Sequence, residues 1–337
     1  MTAAVPAGWD DAAARSPRGH VLQSSAWARI REAQGWRAEY VRIGEPLPVA
    51  LVLWRALPLG SMAYVPRGPI VAPGDTRELA DALGALAALA RARGALFLKV
   101  DPELAPEEAA PALAAAGFRR APDVQPVLAT LVLDLAADEE ALLAGCDKDT
   151  RWSVRQGPKR GVTVREATAG DDDLRAFHAL YAGTGARAGF VTRTWAYYRL
   201  VWSTLIEAGL ATLRLAEVEG RAVAGAMTWR CGERDLYMYG ATSDEGRKAL
   251  AAYPLQWECI LAAKRRGAAR YDLGGVPVDL ARADDPMHGP YVFKKGFGGS
   301  VVRFAGAHDV APRHLAYGAY RTLEPLYTRA LRLVARR

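Results

Sequence analysis

The chain has 337 residues, of which 51% are hydrophobic and 24% are charged, so it is long enough for two folded domains and too apolar for extended disorder. Its formal net charge of +7 favours an anionic partner such as a nucleic acid, a nucleotide or an acidic membrane face. The three cysteines are widely spaced and the five histidines form no pair with ligand spacing. This composition argues against a disulfide framework or a metal site and predicts a reducing, cytoplasmic setting.

The first half of the chain shows no basic region followed by an apolar run at its start, so no signal peptide is expected. Its longest apolar run, Pro48–Val65, is interrupted by Arg55, and it therefore predicts strands rather than a membrane span. Apolar alternation and a leucine period predict five elements in this half. They are strands at Glu39–Ile43, Val49–Arg55 and Ser61–Val65, a helix at Arg77–Arg93 and a strand at Leu96–Val100.

The second half repeats this order of elements. The predicted strands are Thr212–Val218, Ala222–Cys231 and Asp235–Ala241, followed by a helix from Pro254 to Arg266 and a strand at Ala269–Leu273. In both halves the helix ends in basic residues followed by glycine, and the last strand meets an acid, Asp101 or Asp272. Chance recurrence of common units is the alternative to duplication. We predict two mixed α/β domains, residues 1–127 with about 306–337, and residues 128–305.

Three strands followed by a helix and a strand are the layout of GNAT-type acyltransferases, so the fold prediction is two GNAT-like domains in tandem. That fold separates two central strands and binds an acyl donor between them. Its coenzyme A phosphate loop is expected at Asp244–Ala252 and, in the first half, at Pro73–Asp75. Neither segment has the glycine-rich spacing that cradles a pyrophosphate at a helix N-terminus. The sequence therefore argues against an acyl-CoA donor.

Short segments spread over nearly the whole chain resemble the FemABX family of aminoacyl-tRNA-dependent peptidyltransferases. They are Gln23–Ala28, Arg67–Pro69, Leu98–Glu103, Lys148–Val164, Leu236–Gly240, Tyr271–Gly275 and Phe293–Phe297. Some family members carry a long antiparallel helical arm in the second domain. The stretch Ala167–Gly209 is too short and too poor in heptads for that arm, so the chain resembles the compact FemX type.

The resemblance implies transfer of an amino acid from aminoacyl-tRNA, with no cofactor or metal, to the side-chain amine of the third stem-peptide residue. The compact type implies UDP-MurNAc-pentapeptide as acceptor, with lipid II as the other candidate. A cytoplasmic monomer is expected, with peripheral contact to the inner membrane face left open. The alternatives are a GNAT-type N-acyltransferase with another donor and a non-catalytic tRNA- or nucleotide-binding protein.

Two residues match positions that the resemblance assigns to catalysis. Lys294 lies in a Phe-Lys-x-x-Phe segment before a glycine-rich turn and is expected to contact phosphate or the developing oxyanion. A solvated surface lysine is the other interpretation. Asp101 closes the first domain's last strand and is expected to orient the acceptor amine or accept its proton. A turn-forming aspartate before Pro102 is the other interpretation.

Five residues are expected to bind substrate. Arg31 lies four residues after Trp27 on the opening helix, where the family has a lysine that meets the nucleotide diphosphate. The others are Arg193, Tyr197, Tyr239 and Phe293. A cap at Thr192 or Thr194 would place Arg193 and Tyr197 on one helix face, and Tyr239 is expected to face the cleft while Tyr237 faces the core. An exposed cation or a core aromatic fits the same spacings.

Two basic segments complete the predicted sites. Lys148, Arg151 and Arg155 form a helical stripe that suits the backbone of tRNA, with Trp152 and Val154 expected to face inward. A solvated helix face is the alternative. The amphipathic stretch His314–Arg337 is expected to pack on the first domain, with contact to an acidic membrane as the alternative.

Overall fold

The computed structural model describes residues 4–57, 59–72, 74, 76–167 and 170–323. Described residues up to Pro126, together with those from Phe304 onward, form a first unit, and those of Val127–Arg303 form a second. The helices are α1 (Trp9–Arg15), α2 (Ser25–Glu32), α3 (Thr76–Ala92), α4 (Pro106–Ala115), α5 (Glu139–Gly145), α6 (Lys148–Lys159), α7 (Asp171–Ala188), α8 (Trp195–Glu207), α9 (Asp244–Lys248), α10 (Ala252–Arg265) and α11 (His288–Lys295).

The strands are divided between two sheets. They are β1 (Arg37–Arg42), β2 (Val49–Leu57), β3 (Gly60–Val65), β4 (Phe97–Val100), β5 (Arg119–Arg120), β6 (Ala129–Asp134), β7 (Val162–Glu166), β8 (Ala211–Val218), β9 (Arg221–Cys231), β10 (Arg234–Thr242), β11 (Arg270–Gly275), β12 (Ser300–Arg303) and β13 (His308–Val310). A short 3-10 turn, Val21–Gln23, precedes α2. None of the described helices is long and apolar enough to cross a membrane.

The first unit is a six-stranded sheet in the order β1-β2-β3-β4-β13-β5. Its β3 and β4 run parallel and its other neighbours run antiparallel. The leucines of the predicted helical period lie on the buried face of α3, where Leu79, Leu83 and Leu86 pack with Val52 and Val65. Burial of this apolar stripe against the sheet is the main stabilisation of the unit.

The second unit is a seven-stranded sheet in the order β12-β6-β11-β10-β9-β8-β7, with β10 and β11 as its parallel pair. Leu255, Cys259 and Ile260 of α10 belong to the core on one face. On the other face, the ring of Phe177 from α7 lies so close to β9 that a Cβ added to Gly225 would be 2.4 Å from it. Helices therefore cover both faces of this sheet.

Both units contain the predicted order of hairpin, strand, helix and strand, and in both the last two strands are parallel. The mixed α/β prediction with two GNAT-like units in tandem is confirmed. Boundaries differ by a few residues: α10 begins at Ala252 rather than Pro254, and β11 continues to Gly275.

Strands β10 and β11 separate soon after they begin to pair. Only Arg234, Asp235 and Leu236 pair with β11, after which β10 pairs with β9 alone. Beyond a register shift, Gly275 of β11 pairs with Thr130 of β6. The second unit thus has the opening between central strands that the GNAT-like layout predicts, whereas β3 and β4 of the first unit pair as far as Val65 and Val100.

The C-terminal helix packs on the first unit over its described residues, 314–323. The rings of Tyr317 and Tyr320 lie 5.3 and 5.4 Å from that of Phe97 in β4, and the Tyr317 hydroxyl donates to Asp309 Oδ2 at 2.7 Å. This confirms the predicted packing for those residues. The rest of the predicted stretch, residues 324–337, lies outside the described part of the chain.

The stretch Ala167–Gly209 contains α7 and α8 rather than a long arm. The rings of Phe177 and Trp202 lie 4.9 Å apart and join the two helices. The compact FemX-like prediction is therefore confirmed for the described residues of this segment.

One interior helical glycine in each unit provides a test of the packing of α6 in the second unit, with the first unit's glycine as the control. A Cβ at Gly157 of α6 would lie 2.5 Å from Pro254 Cγ, whereas one at Gly84 of α3 would meet nothing within 4 Å. We expect Gly157→Ala to lower the free energy of unfolding by about 1–3 kcal/mol through overpacking. Gly84→Ala should raise it by about 0.5–1 kcal/mol. Urea denaturation followed by circular dichroism measures both, and equal stabilisation would contradict the close approach of α6 to α10.

Candidate active site

Lys294 occupies the last turn of α11 and is 6% exposed. Its Nζ donates a hydrogen bond to the Gly275 carbonyl oxygen at 2.6 Å. The sequence placed this lysine before a glycine-rich turn, and α11 ends at Lys295, directly before Gly296. The alternative of a solvated surface charge is wrong, because the side chain points to the end of β11 rather than to solvent.

Burial lowers the pKa of Lys294 to about 8, and the carboxylate of Asp272 opposes part of that shift. The side chain is therefore mostly an ammonium at neutral pH, although water solvates little of it. A cation in this state has unused N–H donors and interacts strongly with any negative charge that develops beside it.

Asp272 is the carboxylate next to this ammonium and is itself 2% exposed. Its Oδ1 accepts hydrogen bonds from the Thr130 hydroxyl and, at 2.8 Å, from the Gly274 N–H, and Arg234 lies 4.0 Å from its Oδ2. The two hydrogen bonds and the ion pair with Arg234 fix the carboxylate in place within the sheet. It therefore holds the bend of β11 beside Lys294, as the predicted counterpart of Asp101.

A close approach of backbones at Gly274 shapes the opening. Gly274 has φ +75°, and a Cβ there would lie 2.8 Å from the Tyr237 carbonyl oxygen and 3.7 Å from Lys294 Nζ. Any larger residue would meet both groups and would also be strained at this φ. The glycine therefore keeps Lys294 against the point at which β10 and β11 separate.

Tyr239 lies on the opposite side of β10 from Tyr237. A regular strand puts residues two apart on the same face, so strand alternation does not explain the separation of these rings that was expected from the sequence. A register shift between them does so. Tyr237 packs on the α10 side, whereas Tyr239 joins an aromatic cluster with Tyr181 and Trp202 at 5.5 and 5.8 Å. Burial raises the pKa of Tyr239 well above its ordinary value, so it remains a neutral hydroxyl.

Arg193 and Tyr197 meet, but not on one helix face. Thr194 is the N-cap of α8 and accepts from the Tyr197 N–H at 3.4 Å, which leaves Arg193 before the helix. The Arg193 guanidinium still lies 5.5 Å from the centre of the Tyr197 ring. Arg193 is exposed and Tyr197 is half-buried, so the pair presents a cation and an aromatic ring to solvent.

Phe293 precedes Lys294 and packs among aromatic residues. Its ring lies 5.2 Å from that of Tyr253 and 5.3 Å from that of Phe297. These contacts join α11 to the start of α10 and make Phe293 part of the support for Lys294. The ring remains only half-buried.

In the first unit, Asp101 lies just beyond β4, is 2% exposed and has both carboxyl oxygens in hydrogen bonds. Oδ2 accepts from the Tyr64 hydroxyl and Oδ1 from the Arg67 N–H, each at 2.7 Å. Burial raises the pKa of Asp101 to about 6, against the opposing charge of Arg67. The geometry suits a group that orients Tyr64 and Arg67 more than one that receives a proton from substrate directly.

Arg31 lies in the last turn of α2, on the same side as Trp27, as predicted. Its guanidinium lies 5.9 Å from the Trp27 ring and 4.7 Å from the Trp36 ring, and Nη1 donates to Gln34 Oε1 at 2.6 Å. The sequence did not predict that Trp36 would contact Arg31. These contacts hold the arginine against the aromatic rings at the start of β1.

The basic stripe of α6 differs from its prediction in two places. Lys148 and Arg155 are exposed, but Arg151 donates to the carbonyl oxygens of Ala144, at 2.8 Å, and Cys146. Arg151 therefore stabilises the α5–α6 connection. Trp152 is 51% exposed rather than buried, because the inward face of α6 is taken by Val154 and small residues.

The segment in place of a coenzyme A loop is the short helix α9. The Ser243 hydroxyl caps it by accepting from the Gly246 N–H at 3.0 Å, and Asp244 and Glu245 fill its first turn. A Cβ at Gly246 would lie 2.4 Å from the Val223 carbonyl oxygen, so this glycine serves packing on β9. Two carboxylates at a capped helix N-terminus disfavour a pyrophosphate.

Several partners of the predicted residues had no signal in the sequence. The Gly275 carbonyl, which accepts from Lys294, is a backbone atom that any residue has. The sequence indicated no more for Tyr64 than that it lies in a strand. Its contact with Asp101 depends on the parallel register of β3 and β4. Arg67 differs from these, because an arginine between two turn residues, Pro66 and Gly68, is a signal in the sequence.

Comparison with known proteins identifies a matching family model, a curated relative and solved structures of similar fold. A model of the FemAB family matches residues 8–111, 119–221 and 212–325. The lipid II:glycine glycyltransferase of Staphylococcus aureus (strain USA300) is 25% identical, over 95% of this chain and 95% of that protein. The crystal structure of FemX matches with a TM-score of 0.84 and 22% identity, over 96% of this chain and 99% of that chain.

A more distant structure has the same general fold. The C-terminal domain of a putative lysylphosphatidylglycerol synthetase from Agrobacterium fabrum matches with a TM-score of 0.55 and 15% identity, over 94% of this chain and 95% of that one. The predicted FemABX resemblance and the predicted aminoacyltransferase class are confirmed by the family match and its relatives. Because the family model spans most of its length, the chain belongs to the FemAB family.

Proposed function

We propose that the protein transfers an amino acid from aminoacyl-tRNA to the side-chain amine of the third stem-peptide residue of a muramyl-peptide precursor. The observation that carries this proposal is the Lys294 ammonium, buried where β10 and β11 separate. A cation fixed in a position of low dielectric stabilises an oxyanion more than a solvated cation does. Membership in the FemAB family supports the reaction class.

The proposed step forms an amide bond and breaks an ester bond. The neutral acceptor amine attacks the carbonyl carbon of the aminoacyl ester, and its lone pair forms the new C–N bond. The carbonyl electrons move onto oxygen beside Lys294 and return as the ester C–O bond breaks. The amine proton passes to the leaving ribose hydroxyl of the tRNA. The ester is already activated, so catalysis requires positioning and charge stabilisation.

Charged tRNA as donor is supported by the local chemistry of α9. Its N-terminus is capped by Ser243 and carries Asp244 and Glu245, so a coenzyme A pyrophosphate would meet negative charge there. The protein's positive net charge suits a polyanionic donor. Charged tRNA and UDP-linked muramyl peptides are cytoplasmic, so the reaction is proposed for that compartment, by a monomer without a cofactor.

The acceptor favoured by this proposal is UDP-MurNAc-pentapeptide. In the second unit, Arg193 would bind phosphate of the diphosphate, with Tyr197, Tyr239 and Phe293 in contact with the rest of the substrate. Arg31 of the first unit is proposed separately as a phosphate-binding residue. The compact α7–α8 segment, which lacks an arm, supports this choice. Lipid II is the second candidate, because the Staphylococcus aureus relative that matches over 95% of the chain bears that substrate in its name. That acceptor would require contact with the inner membrane face.

Asp101 is proposed as a positioning residue in this reaction. Its carboxylate holds the Tyr64 hydroxyl and the Arg67 backbone in place, and Arg67 in turn lies 3.4 Å from Glu103 Oε1. Loss of the carboxylate would release the turn that follows β3. Its effect on transfer would then come through the binding of the acceptor.

The donor and acceptor are tested by a transfer assay. Purified protein, a mixed pool of charged tRNAs and UDP-MurNAc-pentapeptide should give a precursor whose mass rises by whole amino-acid residues. Fragmentation in the mass spectrometer should place the addition on the third stem residue. Parallel reactions replace the acceptor by lipid II or the charged tRNA by acyl-CoA thioesters. Transfer from the thioesters alone would contradict the proposal, and tRNA binding without turnover on either acceptor would favour the non-catalytic alternative.

The role of Lys294 is tested against its neighbour. Lys294→Met should lower the rate of transfer by about 10²–10³-fold, as expected when one oxyanion donor is lost, while charged-tRNA binding persists. Lys295→Met is the matched control, because Lys295 is exposed and lies 5.8 Å from the Tyr291 ring, and it should stay within about 2-fold of wild type. Thermal denaturation checks that both variants fold. Equal rates for the two variants would remove Lys294 from the mechanism.

A further inference from the structure

We propose that Trp152 on α6 is a stacking platform for the single-stranded 3′ end of the tRNA. The proposal rests on the proposed function, since it assumes that charged tRNA is the donor. It assigns a base-contacting residue to a helix for which the sequence indicated only phosphate contacts. The observation behind it is a tryptophan that is 51% exposed in the middle of a basic helix.

The exposed face of α6 is a continuous stripe. At 100° per residue, Lys148, Trp152, Arg155 and Lys159 lie within about 60° of one another around the helix axis, and all four are exposed. Asp149, the acid of the first turn, lies about a quarter turn away. The stripe therefore presents one aromatic ring between cations before and after it. This is the composition of surfaces that bind single-stranded nucleic acid, with cations for phosphates and a ring for bases.

The opposite face of α6 is fixed to the unit, so the stripe is held rigidly. Thr150, Ser153 and Val154 are buried. Gly157 lies so close to the Pro254 ring that a Cβ there would be 2.5 Å from Pro254 Cγ. A helix anchored in this way presents its outer side chains in a defined direction. Binding to it therefore loses little backbone entropy.

The N-terminal end of α6 lies beside the segment that follows Lys294. The Asp147 N–H donates to the Gly296 carbonyl oxygen at 2.8 Å, and a Cβ at Gly296 would collide with the Thr150 hydroxyl. The first turn of α6 therefore packs against the C-terminal end of α11, the helix that carries Lys294. In the proposed complex, a strand whose terminal ester is at Lys294 passes around this contact to reach the exposed stripe.

The length of the stripe matches such a strand. From Lys148 to Lys159 α6 rises about 16 Å, which corresponds to roughly five stacked nucleotides at ~3.4 Å each. The stripe is therefore long enough to follow a short single-stranded segment, and one ring in its middle is placed to stack on a base within that segment.

Arg160 fixes the position of the Trp152 ring. Its guanidinium lies 5.8 Å from the ring centre, and its Nη1 donates to the Lys248 carbonyl oxygen at 2.7 Å. An indole ordered in this way, with one face toward a cation, offers its other face to a base. The stripe suits nucleic acid better than a lipid surface, because membrane-lying helices present a broad apolar face and this one presents a single ring.

The test compares RNA minihelices with and without the single-stranded 3′ end, by fluorescence anisotropy on the full chain. Trp152→Ala should weaken binding of the RNA with the overhang roughly 10-fold and leave binding of the blunt RNA unchanged, since a base–ring stack contributes about 1–3 kcal/mol. Trp152→Phe should recover most of the loss. Leu315→Ala is the matched control for removal of an exposed apolar side chain, 93% exposed on the C-terminal helix, and should bind as wild type does.

Steady-state transfer adds a second readout. Trp152→Ala should raise KM for charged tRNA by a similar factor and leave both kcat and KM for the muramyl acceptor unchanged. Overhang binding equal to that of wild type would overturn the proposal. The proposal would also be overturned if Trp152→Ala weakened binding to vesicles with anionic lipids and left RNA binding unchanged. The proposed function fails separately, by the absence of transfer from charged tRNA in the wild-type protein, whatever Trp152 does.

Discussion

The opening between β10 and β11 in the second unit is defined by one ammonium group, that of Lys294, which the fold keeps out of water. Lowering the pKa of Lys294 from 10.5 to about 8 corresponds to a cost of roughly 3 kcal/mol at neutral pH. The hydrogen bond to Gly275 and the charge of Asp272 offset only part of the desolvation. Because the folded-state pKa is the lower one, stability increases as the pH rises from about 8 to 10.5. The fold thus keeps a destabilising charge at neutral pH, as sites that act on substrates often do.

The two units have the same order of elements but differ in the charged residues at the end of their parallel strands. In the first, the space after the parallel strands is closed by Asp101, which binds both Tyr64 and the turn at Arg67. In the second, β10 bulges away from β11, and Gly274 and Lys294 lie at the opening. Asp101 and Asp272 both hold a turn by accepting from a backbone N–H. One scaffold therefore supports a closed, hydrogen-bonded end in the first unit and an open, cationic one in the second.

The sequence predicted the parts of this arrangement that depend on periodicity and order. The leucine period of α3, the strands Thr212–Val218 and Ala222–Cys231 and the cap at Thr194 each have a local physical cause, and each is observed to within a residue. Tyr237 and Tyr239 lie on opposite sides of β10 because of a bulge between them, and no residue pattern predicted that bulge. Burial of Lys294 and exposure of Trp152 depend on which helix face meets the sheet. Tertiary packing decides that choice, so a charge pattern alone predicted neither.

The central claim is that Lys294 is a buried ammonium with a depressed pKa at the opening between β10 and β11. The most direct measurement is an NMR titration of the Lys294 side chain with a ¹³Cε label, assigned by its absence in Lys294→Met and compared with Lys295 in the same sample. The account predicts a midpoint near pH 8 for Lys294, well below that of Lys295. A midpoint near the ordinary lysine value of about 10.4 would show that the group is solvated and would contradict the account.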